Sequence, residues 1–115
     1  MIINLRATSH FVTEEMDLPK MGTSNKMIYI PNDTTLKASE KAMLHFSQLS
    51  NKAGEADILP GLKRPLMSVN KMAKEDYTMV FHPGKKGVTI HRPKTIKIFT
   101  TEDPVLTGTN SNGLW

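Results

Sequence analysis

The chain has 115 residues, 38% hydrophobic and 23% charged, with no cysteine and a formal net charge of +4. That length suits one domain with a single modest core, and the lack of thiols excludes disulfides, cysteine nucleophiles and zinc–thiolate sites. No apolar run approaches the ~20 residues of a membrane span and no secretion signal opens the chain, so the expectation is an intracellular, non-secreted protein without a membrane partner.

In chain order, Ile2-Ile3 reads as the end of a strand that feeds a polar turn, Asn4-Leu5-Arg6-Ala7-Thr8-Ser9-His10. Met27-Ile28-Tyr29-Ile30 reads as another strand, followed by a turn at Pro31-Asn32-Asp33-Thr34-Thr35 and then Leu36-Lys37-Ala38. Ser39 to Ala53 fits two patterns. Ala42, Phe46, Leu49 and Ala53 have helical spacing, whereas Ala42, Leu44 and Phe46 suit a strand. Ile58-Leu59-Pro60-Gly61-Leu62 is an apolar segment broken by a Pro-Gly turn. The segment Pro65 to Lys74 predicts a helix, with Leu66, Val69, Met72 and Ala73 on one face and proline near its start. Tyr77-Thr78-Met79-Val80-Phe81, a turn at Pro83 to Gly87, and Val88-Thr89-Ile90-His91 predict a β-hairpin. A second turn at Arg92-Pro93-Lys94 leads to Thr95 to Thr100, where Ile96 and Ile98 alternate with Lys97, which predicts the third strand of a meander.

The charge is uneven. From Gly61 to Lys97 nine Lys and Arg face only Glu75 and Asp76, while the first sixty residues are near neutral. A basic half can bind nucleic acid, but lysines scattered along strands more often form a solvated face. The four histidines, His10, His45, His82 and His91, show no i, i+3 or i+4 pairing, and no metal or other cofactor is expected. His82 and His91 can face each other across the hairpin, as surface strand residues. Gly84-Lys85-Lys86-Gly87 lacks the form of a phosphate loop, and no serine sits in a nucleophile elbow.

Paired carboxylates are the remaining chemistry to weigh. Two Asp that share a proton can activate a water between them, each carried on a tight turn after a buried strand. Asp33-Thr34 follows a strand, but Thr35 stands where such a turn needs glycine, so a hairpin turn is the better role. The opening is closer. Against the pattern Asp-Ser-Gly-Ala-Thr-Ser-His-Phe, Ala7-Thr8-Ser9-His10-Phe11 match and Asn4-Leu5-Arg6 do not.

With that opening, the chain resembles the retropepsin-like protease segment of copia-type LTR retrotransposon Gag–Pol polyproteins. Met27 to Ala38 looks like the flap of that family, with Pro31, Asn32, Asp33 and Thr34 at its turn. Ala56 to Lys74 follows its Pro-Gly-Leu-Lys…Ser-Val…Met pattern, and Tyr77 to Phe81 continues it, with Asp76 where glycine is usual. The resemblance implies an all-β, small acid-protease barrel protomer with one short helix, incomplete at its N-terminus, that pairs as a homodimer. It also favours a strand over 41–48. The implied domain spans 1–101, with a polar tail over 102–115 leading to a truncated polyprotein continuation.

In intact relatives this segment cleaves the polyprotein, so a polypeptide would be the substrate of an active form. Here Asn4 occupies the place of the catalytic Asp, Leu5 that of the hydroxyl residue and Arg6 that of the glycine, with Thr8 as a motif remnant. An amide cannot take the proton of the attacking water, so the expected state is a domain without peptidase activity. The alternative is a small basic β-domain that binds nucleic acid or a protein without catalysis. A third possibility is a product with no selected function.

Overall fold

The computed structural model describes residues 1–30 and 34–112. The described residues are mostly β. In chain order they form β1 (Ile2–Asn4), β2 (His10–Val12), β3 (Lys20–Thr23), β4 (Met27–Ile30), β5 (Thr34–Lys37) and β6 (Glu40–Met43). There follow α1 (Asn51–Gly54), β7 (Glu55–Ile58), β8 (Leu66–Ser68), α2 (Val69–Lys74), β9 (Thr78–Phe81) and β10 (Val88–His91).

Six strands make one sheet in the order β1-β8-β2-β7-β6-β3, and two hairpins, β4–β5 and β9–β10, stand apart from it. The six-strand order is open, with β1 and β3 at its edges, rather than a closed barrel. Its centre is β2, which runs parallel to β7, with Phe11 opposite Asp57, and meets β8 where Phe11 faces Leu66. All three residues of β2 are buried, as a strand covered on both faces must be. Val12 joins Leu18, Ala42, Leu44, Ala56 and Ile58 in one cluster, while Phe11 joins Ala38 and Leu59 in another. A third cluster, Ala53, Met67, Met72 and Tyr77, lies beneath α2.

Several expected elements change at their ends. The predicted helix over 65–74 begins only at Val69, because Leu66 to Ser68 pair in parallel with Ile2 to Asn4 as β8. Ser68 ends that strand and caps the helix, its hydroxyl accepting the Lys71 N–H at 3.0 Å. The stretch with two patterns divides. Glu40 to Met43 is a strand, the chain then leaves the sheet, and Asn51 to Gly54 makes a single helical turn capped by Ser50. The second helix was not expected.

The predicted hairpin at β9–β10 forms, with Val88 opposite Phe81 and His91 opposite Thr78. The third strand of the meander does not: residues 95–100 take no strand conformation. No strand among the described residues pairs with them, and Ile98 and Phe99 are 74% and 88% exposed.

The end of α2 explains an unusual backbone angle. The N–H of Asp76 bonds to the Ala73 carbonyl and that of Tyr77 to the Met72 carbonyl, the two crossed bonds of a Schellman stop. Such a stop puts its first non-helical residue in the left-handed region, and Asp76 has φ 64°. This is the position where the resemblance expects glycine. Tyr77 and Met72, which flank it, pack together in the cluster beneath α2.

Candidate functional site

Asn4 ends β1, opposite Ser68 of β8. The chain then turns sharply, and the Asn4 side chain organises the turn: Oδ1 accepts the N–H of Arg6 at 2.8 Å and that of Ala7 at 2.9 Å. This is an Asx turn, in which a short polar side chain takes the place of backbone partners. The start of α2 clamps the turn from below. Ser68 Oγ donates to the Ala7 carbonyl, and Asn70 Nδ2 donates to the carbonyls of Leu5 at 3.0 Å and Ala7 at 3.3 Å. Asn110 Nδ2 in turn donates to Asn70 Oδ1 at 2.7 Å, so the tail reaches the back of the turn. Arg6 is not among the non-glycine residues with positive φ, which are Asp76, Lys94 and Asn112. A side chain is thus accepted at that place without backbone strain.

The turn opens onto a cleft of about 530 Å³. Asn4, Arg6, Ala7 and Thr8 form one side, Met27, Ile28 and Tyr29 of β4 another, and Phe11, Leu59, Leu62 and Leu66 the apolar floor. The structure therefore brings Asn4 and Thr8 together with the strand that leads into the expected flap. Thr34 begins β5 and is exposed. Pro31, Asn32 and Asp33 lie outside the described residues. Among the described residues no carboxylate lines the cleft.

The buried charge of the protein lies elsewhere. Asp57, in the middle of β7, is 2% exposed. It accepts Ser9 Oγ at 2.7 Å, Ser24 Oγ at 2.7 Å and Lys26 Nζ at 3.0 Å. Burial alone pushes this carboxyl upward, but the three donors and the Lys26 charge outweigh it and hold Asp57 below its ordinary 3.8. His10 is fully buried beside this group. Its Nδ1 accepts the Ser68 N–H at 2.9 Å, and its Nε2 lies 2.7 Å from the Ala53 carbonyl, which fixes the neutral Nε2–H tautomer. Burial, with a smaller contribution from the Lys71 charge, holds the imidazole below its ordinary 6.5 despite the Ala53 contact.

Sequence reasoning gave His10 only its place in a motif and missed Asp57 altogether. The signal for Asp57 was present as a carboxylate inside the apolar run Ala56-Asp57-Ile58-Leu59. An ionised side chain at an interior strand position needs partners, and here they come from far along the chain.

Of the remaining histidines, His45 Nε2 contacts the Asp17 carbonyl at 3.1 Å. His82 and His91 do converge on one face of the hairpin, each with Nε2 2.9 Å from the Thr89 hydroxyl. Among the described residues no group of three or more His, Asp or Glu is placed to hold a metal ion, and no helix is long and apolar enough to cross a membrane.

No family model matches the chain, and no curated protein or solved structure matches it.

Proposed function

We propose that the chain is a retropepsin-like domain of copia-type retrotransposon origin that retains the substrate cleft but has lost peptide hydrolysis. The observation that carries the reading is the Asn4 turn. It follows a strand paired in parallel with β8, faces an apolar cleft under the β4 strand, and presents an amide where a carboxylate would be required. Two further placements support it. Ser68 and Asn70, within the segment that follows the family pattern, hold that turn in place, and Asp76 has the left-handed backbone that favours the family's glycine. The acid-protease protomer fold and the homodimer of that family belong to this proposal.

The amide supports the loss of hydrolysis in this reading. With Oδ1 already accepting two N–H groups, Asn4 has only N–H to offer a bound water, and no carboxylate among the described residues lines the cleft to take a proton. The test is peptide cleavage at acid pH by the wild type and by a variant carrying Asn4→Asp, Leu5→Ser and Arg6→Gly. The expected result is no cleavage by the wild type and inhibitor-sensitive cleavage by the variant. Wild-type cleavage blocked by an aspartic protease inhibitor defeats the inactive assignment. A folded, dimeric triple variant that cleaves nothing counts against the retropepsin reading itself.

The reading as a basic β-domain ranks second. Of the nine Lys and Arg between Gly61 and Lys97, all but Lys71 are exposed. A solvated face has the same appearance.

A further inference from the structure

We propose that the cleft is a retention site for an extended apolar peptide carrying a carboxylate, with Arg6 as the group that selects the carboxylate. The proposal rests on the reading that this cleft descends from a substrate cleft, and adds to it the chemical class of what is held there.

The polarity of the lining favours an acceptor-rich ligand. Asn4 Oδ1 is occupied by the N–H groups of Arg6 and Ala7, so Nδ2 is the half of the amide left for a ligand. It makes no bond within the protein, and no buried side-chain nitrogen or oxygen among the described residues lacks a partner, so Nδ2 is open to solvent. Arg6 is exposed, lines the same cleft and forms no ion pair among the described residues. Thr8 adds a hydroxyl. The side chains of the described residues that offer hydrogen bonds to the cleft are therefore an amide N–H, a guanidinium, the Thr8 hydroxyl and the Tyr29 phenol, with no anion among them. Such a set favours a ligand rich in acceptors, and the planar fork of Arg6 matches a carboxylate in two-point fashion.

The shape of the other wall suits an extended peptide. Successive side chains of a strand point to opposite faces, yet Met27, Ile28 and Tyr29 all border the cleft. Three consecutive residues can border one space only where the strand meets it edge-on. β4 belongs to a two-stranded sheet, so one of its edges has no strand partner. An unpaired edge offers backbone N–H and C=O groups in alternation, which an extended peptide satisfies and a lipid tail does not. The floor of Phe11, Leu59 and Leu66 takes the apolar side chains of that peptide.

The charge around the cleft has the same sign. Lys63 and Arg64 are exposed and follow Leu62 of the lining directly in the chain. The departure from the family pattern at Arg6 therefore changes what the cleft prefers as well as what it can catalyse.

The experiment is fluorescence anisotropy on the full chain at low salt. The probes are a labelled, end-blocked peptide with alternating apolar residues around one central Glu, and its Gln counterpart. The expected result is binding of the Glu peptide roughly tenfold tighter than the Gln peptide, the size of one favourable charge-assisted pair. Arg6→Gln abolishes that preference, so that the two peptides bind alike, and Arg6→Lys keeps part of it. Asn4→Asp, which adds a carboxylate to the cleft, weakens the Glu peptide more than the Gln peptide. Equal binding of the two peptides, a preference that survives Arg6→Gln, or no binding of either overturns the proposal. Displacement of the probe by laurate with no peptide selectivity assigns the cleft to a small amphiphile and overturns it too. These outcomes are separate from recovery of cleavage in the triple variant. Selective binding without recovered cleavage defeats the retropepsin reading alone, and recovered cleavage without selectivity defeats the carboxylate preference alone.

Discussion

Among the described residues, Asp57 and His10 both make the fold sensitive to acid, and they contribute with the same sign. Each has a pKa below its ordinary value in the folded chain, so the unfolded chain binds more protons as the pH falls. The His10 contribution is complete above 6.5 and declines as the pH drops from there towards its folded value. That of Asp57 holds until 3.8 and is lost below it, when Ser9, Ser24 and Lys26 lose their charged acceptor. The expected outcome is stability that falls in two stages on acidification. Urea unfolding across this pH range checks it. His10→Gln flattens the upper stage, and Asp57→Asn the lower one at a cost of about 3 kcal/mol near neutrality, since a buried group loses its charge-assisted bonds. Lys26 is half exposed, so its share of that cost is small. Stability unchanged between neutral pH and 4 in the wild type defeats the assignment to His10.

At the scale of elements, what the sequence revealed depended on how local the determinants were. The β9–β10 hairpin was legible because Pro83, Gly84 and Gly87 announce the turn beside it and the two strands pair with each other. β8 was not, because Leu66 to Ser68 become a strand only by pairing with residues 2–4 and with Phe11. The same three residues, read alone, continue the apolar face of α2. The Asn4 turn was found through a motif, but its clamp by Ser68 and Asn70 spans more than sixty residues and had no local signature. The polar group around Asp57 was missed for the same reason, since Ser9 lies 48 residues away. The end of α2 yields a prediction at this scale. Asp76 holds a left-handed angle that costs a non-glycine residue free energy, while its N–H and that of Tyr77 complete the helix stop. Asp76→Gly is expected to raise stability by about 0.5–1 kcal/mol, the strain removed less the added freedom of the unfolded chain. A rise in the thermal midpoint checks this, and a fall shows that the Asp76 side chain stabilises the turn in its own right.

At the scale of the whole molecule, the described chain is more extended than its length requires. Its radius of gyration is 15.6 Å, against about 13 Å for a compact domain of this size. The excess lies in parts that leave the six-stranded sheet: the two separate hairpins and the segment after β10. That segment carries its own apolar side chains into solvent, with Ile98, Phe99, Val105 and Leu106 all more than 70% exposed. Alternation of apolar and charged residues over 95–100 is the pattern of a strand with one buried face, yet the described residues supply neither the strand partner nor the cover. On the proposed reading a second copy supplies both. The expected result is a sedimentation mass twice that of the 12.9 kDa chain at micromolar concentration. Ile98→Asp together with Phe99→Asp removes the apolar face without touching any residue of the three core clusters. That variant should sediment as a monomer while keeping the far-ultraviolet circular dichroism of the six-stranded sheet. A monomeric wild type that unfolds cooperatively removes the homodimer from the proposal. It leaves the Asn4 turn and its cleft as features of a single chain.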